Sequence, residues 1–118
     1  MKKIDLTEAK KMVDHYHATR KNVIDKTHGI NDTKSVWFDI DAFKEFVNKL
    51  PAHATGVRVH LAAHDEKHPT TPGQTTVMLA GTVNKDSSHA DALSDTSLLA
   101  DGLDPVNDGK NCPPFCPS

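Results

Sequence analysis

The stretch Ser35–Leu50, SVWFDIDAFKEFVNKL, constrains the fold more than any other part of the chain. It holds the only Trp and three of the four Phe. Two periodicities meet in it. Ser35, Val36, Trp37 and Phe38 form a short β-branched and aromatic run, which suits a strand. Ile40, Phe43, Phe46, Val47 and Leu50 then recur at three- and four-residue spacing, which places them on one helix face. Asp39 stands where an N-cap belongs, because its short carboxylate can accept from the first free backbone N–H groups. Pro51 discourages further helix. Burying such a face is worth about 1.5–3 kcal/mol per large side chain, so the stretch is expected to be the structural hub.

The rest of the chain supplies partners for that hub. Residues 5–28 read as a long amphipathic helix. Leu6, Ala9, Val13, Tyr16, Arg20, Val23 and Thr27 follow a 3-4-3-4 spacing. Gly29 suits the left-handed residue that closes a helix, and Asn31-Asp32-Thr33 is turn chemistry. Val57, Val59 and Leu61 alternate with Arg58 and His60 as in a half-buried strand. Asp65–Gln74 is a polar loop, and Thr75–Val83 is a second strand apolar on both faces. These two make an antiparallel hairpin. A strand–helix–strand unit from Val36 to Leu61 would be a parallel right-handed crossover if its strands are neighbours.

The expected fold is therefore α+β. It has a small three-stranded mixed sheet, a long N-terminal helix, a second amphipathic helix and an extended C-terminal tail. Residues 1–84 would form the α+β core domain. Residues 85–118, rich in Pro, Asp and Ser, would be a tail ending in CPPFC. The expected core is Trp37, Phe38, Phe43, Phe46, Val47, Val57, Val59, Leu61, Val77 and Leu79, packed on the first helix.

Composition narrows the function classes. A chain of 118 residues makes one modest domain. The formal net charge of −2 leaves no footprint for nucleic acid or anionic membranes. No apolar run is long enough to span a bilayer, and the MKKIDLTEAKK start lacks the apolar segment of a secretory signal. The cytoplasm is the expected location. No P-loop, dinucleotide fingerprint or nucleophile elbow is present. Asp95, Asp101 and Asp104 do not match a calcium loop. Asp39 and Asp41 are explained as helix-start charges.

Eight His and two Cys remain to be placed. His15 and His17 lie on different sides of a helix and cannot share an ion. His60, His64 and His68 are spaced H-x3-H-x3-H, but a strand carries His60 about 13 Å from His64. His64 and His68 can meet through the loop. Cys112-Pro-Pro-Phe-Cys116 is the sharpest motif. Prolines stiffen a turn between two thiols, which can close a disulfide, act as a redox pair or bind a soft metal. Its spacing is not that of a zinc ribbon, so zinc would need two outside ligands. His89 and Asp91, placed in a loop after the last strand, are the candidates, giving the set Cys112, Cys116, His89 and Asp91. The remaining reading is a docked tail with Phe115 as an apolar plug and both thiols buried.

DTKSVWFDIDAFKEF, GVRVHL, PGQTTVMLAGT and the CPPFC end together resemble a family of small uncharacterised bacterial proteins common in Bacteroidota. Its members share a VWFDI-type strand–helix junction and a C-terminal CPPxC motif. The resemblance covers most of residues 6–118 and departs at Ala80-Gly81, where the family has Val-Pro, and in the His-rich first helix. It supports the element boundaries and brings no activity with it. The functional expectation is a non-enzymatic binding or assembly module with a recognition tail, acting with a protein partner or a second copy of itself. No cofactor is expected. The alternative is a thiol- or zinc-dependent protein using the CPPFC cysteines.

Overall fold

Helical periodicity in the first quarter of the chain produces one long rod. In the computed structural model, which describes residues 1–117, α1 (Leu6–Tyr16) runs through a π-helical turn at His17–Lys21 into α2 (Asn22–His28). Gly29 ends the rod in the left-handed conformation, φ 64°, where a side chain would be strained. The π turn widens the helix by one residue, so the expected stripe does not continue in phase. Leu6, Ala9, Val13 and Tyr16 share a face, whereas α2 turns Ile24 and Asp25 inward and leaves Val23 exposed.

β1 (Ser35–Trp37) and α3 (Ile40–Asn48) lie where the hub was read. Asp39 caps α3 as expected, its Oδ2 accepting from Ala42 N at 3.0 Å. β2 (Ala54–Ala63) and β3 (Thr75–Lys85) form the antiparallel hairpin. The α+β class, the long N-terminal helix and a sheet of several strands are thus present, but the strand partners differ from a crossover. β1 does not neighbour β2. It pairs antiparallel with β5 (Lys110–Cys112), Ser35 opposite Cys112. The three-stranded sheet is β2-β3-β4, with β4 (Ser88–Ala90) antiparallel to the end of β3. Where a mixed sheet was expected, every ladder among the described residues runs antiparallel. The reason is chain economy: the Asp86–Ser87 turn, both residues at positive φ, returns β4 directly along β3. That geometry favours a hairpin over a crossover.

The core moves with the pairing. Of the ten expected core residues only Leu79 is buried. The buried cluster is instead Val83, Ala90, Ala92, Leu98 and Leu103, with Leu50 packed against it. Four of these lie beyond residue 84, in the segment read as an extended tail. A 3-10 turn at Thr96–Asp101, capped by Asp95 at Ser97 N, carries Leu98 into the cluster. Leu79 and Val106 bond each other's backbones at 2.7 and 2.9 Å, adding the later segment to the free edge of β3. A Cβ on Gly81 would lie 3.0 Å from Leu103 Cδ2 and would also press Leu50, so Gly81 lets the layer above β3 sit close.

The hub aromatics are left open. Trp37 is 55% exposed, and Ile40, Phe43 and Val47 are exposed on α3. Val59 and Leu61 project from β2 at 57% and 84% exposure. The radius of gyration is 16.3 Å, against about 13.5 Å for a compact domain of this length.

Candidate functional site

A cleft of about 880 Å³ lies between α3 and residues 102–111. Each wall follows from local sequence. Asp39 starts α3 just after β1, so Trp37 and Phe38 stand beside Phe43, Phe46 and Leu50 on one wall. Phe38 and Phe43 meet edge to face, with ring centroids 6.0 Å apart. Val106, Lys110 and Phe115 line the opposite wall, and Leu79 lies at the floor. Gly109 allows the walls to meet at one end, because a Cβ there would overlap Val36 Cγ1 and lie 2.9 Å from Phe38 Cζ.

His64 and His68 stand at the rim, their rings 4.1 Å apart. His68 Nδ1 accepts from Thr71 N at 3.0 Å, which leaves Nε2 to carry the proton in the neutral ring. Burial, and then the charge of His68, hold the His64 imidazole below its ordinary pKa. The third member of the spacing, His60, is elsewhere. Its Nε2 bonds Asp91 Oδ2 at 2.7 Å.

The CPPFC end forms the outer part of the second wall. Cys112 and Cys116 are joined in a disulfide, with Cα atoms 4.6 Å apart. Cys112 is buried and Cys116 exposed. The disulfide is one of the readings the motif allowed; the alternative of two buried thiols is corrected, because the sulfurs are bonded and, while β5 takes Cys112 inward, the turn returns Cys116 to the surface. Phe115 is not a plug. It is half exposed, and the Lys110 ammonium sits 5.0 Å over its ring. Main-chain bonds fasten the ring, from Phe115 N to Asn111 O at 2.8 Å and from Lys34 N to Cys112 O at 2.6 Å.

Behind the ring is a polar junction that sequence reasoning missed. Asp32 is fully buried, accepting from Thr75 N and Thr75 Oγ1, each at 2.7 Å. Gln74 Nε2 donates to Asn31 O and to Pro113 O, and Asn111 Nδ2 donates to Thr75 O. Lys21 is buried against Asp25 and Asn31. The Lys21 ammonium and the Asp32 N–H hold the Asp25 carboxyl below the usual carboxylate range. The junction therefore ties the helical rod, the start of β3 and the disulfide ring together. Asp32 reads as turn chemistry in sequence, and nothing local marks it as buried.

The four expected metal ligands are not a single constellation here. His89 belongs to β4 rather than a loop, and its Nδ1 meets Thr55 Oγ1 at 3.0 Å. Asp91 is buried and already holds His60, with Arg58 Nε 3.4 Å away. Burial raises its pKa, but the bonds from His60, Ser94 N and Leu93 N outweigh that and keep it below the carboxylate range. Among the described residues no group of three or more His, Cys, Asp and Glu side chains is placed to hold a metal ion. In the same residues no helix is long and apolar enough to cross a membrane.

In comparison with protein-family models, curated proteins and solved structures, the chain matches none.

Proposed function

We propose that the protein is a non-enzymatic binding and assembly module, and that the aromatic cleft beside the CPPFC ring receives an apolar protein segment. The observation that carries this is the open hub. Trp37, Phe43 and Phe115 line a cleft with much of their surface in water, and contiguous apolar surface of this kind marks docking sites. The disulfide ring and the polar junction serve the site by holding its second wall in place.

Deleting residues 110–118 would remove β5 and so would not be a clean test. A point change on the cleft wall is better. At dilutions where it does not self-associate, the parent protein should bind anilinonaphthalene sulfonate with a change in Trp37 emission. Phe43→Glu should abolish that binding while leaving the β2–β3–β4 circular-dichroism signal intact. A parent that neither binds the dye nor associates in light scattering would sink the proposal.

The thiol reading keeps one specific support, the exposure of Cys116 at the end of a short ring. Reduction would free two thiolates for redox exchange or zinc, with His89 and Asp91 as further ligands only after Asp91 leaves His60. Reduced protein that takes up no zinc by elemental analysis, and whose cleft still binds the dye, would close that route.

A further inference from the structure

We infer that the occupant of the cleft is the N-terminal helix of a second copy, in a reciprocal dimer. The inference rests on the binding and assembly reading above. Besides the exposed Val59 and Leu61 of β2, two uncovered apolar surfaces lie on the described residues. One is the α1 face of Leu6 and Val13, both more than half exposed, with the exposed Met12 beside it and no residue of α1 buried. The other is the hub, with its cleft and the exposed Phe43 and Val47 of α3. Among the described residues, only the adjoining turns of its own rod pack broadly against α1. A helix of this length standing alone in water is marginal, so α1 needs a surface that its own chain does not give it.

Area and charge both favour a second copy. The accessible surface is 8555 Å², against about 6,300 Å² for a compact monomer of this mass. The excess of about 2,200 Å² per chain, about 4,400 Å² for a pair, lies within what obligate homodimers bury, roughly 2,000–5,000 Å² in total. Covering the helix alone or the cleft alone would use only part of it. Lys2, Lys3, Lys10 and Lys11 outnumber Asp5 and Glu8 on the first twelve residues. Asp39, Glu45, Asp104 and Asp108 outnumber Lys49 and Lys110 around the cleft. A basic N-terminal end, with Lys2 and Lys3 ahead of an α1 in which Glu8 and Asp14 offset Lys10 and Lys11, thus faces an acidic rim, which steers pairing. Reciprocal exchange of the same two patches is the closed, isologous arrangement that two-fold symmetry requires.

Light scattering on the full chain should give twice the 12.9 kDa chain mass. Val13→Glu on the helix and Phe43→Glu on the cleft wall should each return the chain mass. Mixing the two variants should restore a dimer with one intact helix–cleft contact, from the unaltered helix of the second into the unaltered cleft of the first. A dimer lost in Val13→Glu but kept in Phe43→Glu would mean helix-on-helix pairing and would overturn the reciprocal arrangement. So would a parent that stays at the chain mass at every concentration. If that monomer still binds the dye, and Phe43→Glu removes the binding, the cleft has a different occupant. A monomer without dye binding defeats both readings.

Discussion

Leu103→Ala is the change that best separates the observed core from the one expected of the aromatic hub. Leu103 has 0% of its surface exposed. It packs over Gly81 of β3, where a Cβ would come within 3.0 Å of its Cδ2. Truncating a buried Leu removes its transfer free energy and leaves a cavity, costing about 2–5 kcal/mol. The middle of that range is a large share of a total stability of about 5–15 kcal/mol. With a urea slope of roughly 2 kcal/mol per molar, the unfolding midpoint should fall by about 1.8 M. Phe46, central to the hub by sequence, is only half-buried. Phe46→Ala should therefore cost about 1–2 kcal/mol rather than the roughly 3–5 kcal/mol of a fully buried Phe. Both variants and the parent should be unfolded at one protein concentration, since association adds to apparent stability by mass action. If Leu103→Ala stays within about 0.5 kcal/mol of the parent, as surface changes do, the core is not where the structure puts it. A reversed ranking of the two variants would restore the hub.

Two further outcomes can be measured with the same equipment. Gly109→Ala should cost about 1–3 kcal/mol through forced displacement of Val36 and Phe38, and the near-ultraviolet signal of Trp37 should change with it. A superimposable melt would mean the walls do not meet there. Stability should also fall with acid in two windows. The folded pKa of His64 lies below 6.5, so its contribution is complete above that value and is lost as pH falls below it; His64→Asn should remove this first limb. Asp25, Asp91 and Asp95 titrate below their ordinary value of 3.8, Asp95 at about 2, held by Lys85 and Ser97. Their contribution is present above about pH 4 and drains away toward pH 2, and Asp95→Asn should flatten that second limb.

What the sequence made legible is what local periodicity and turn chemistry encode. The rod from Leu6, its stop at Gly29, the Asp39 cap and the β2–β3 hairpin all follow from residues within a few positions of one another. The core did not, because its residues arrive singly. Ala90, Ala92, Leu98 and Leu103 are spread through Ser, Asp and Gly and show no period. The long-range bond between Val106 and Leu79, and the pairing of Cys112 with Ser35, are what gather them. The candidate site was half legible. Its aromatics and the CPPFC motif stand out, but their facing across one cleft depends on the β1–β5 ladder. Counting hydrophobicity gave the hub the larger share of the core, whereas Leu50 and Leu103 pack closely over a β3 that carries no side chain at Gly81.

The ladder between Ser35–Trp37 and Lys110–Cys112 also sets an order of events. It joins segments 73 to 77 residues apart in sequence with only three residue pairs. Closing so long a loop is entropically expensive and is rewarded late, whereas the β2–β3 hairpin is local and long. The cleft therefore has one wall attached through the last contacts to form and a floor made of the first. In folding terms the site is the part of the molecule that closes last and opens first. An incoming helix can find it ajar while the sheet beneath stays intact.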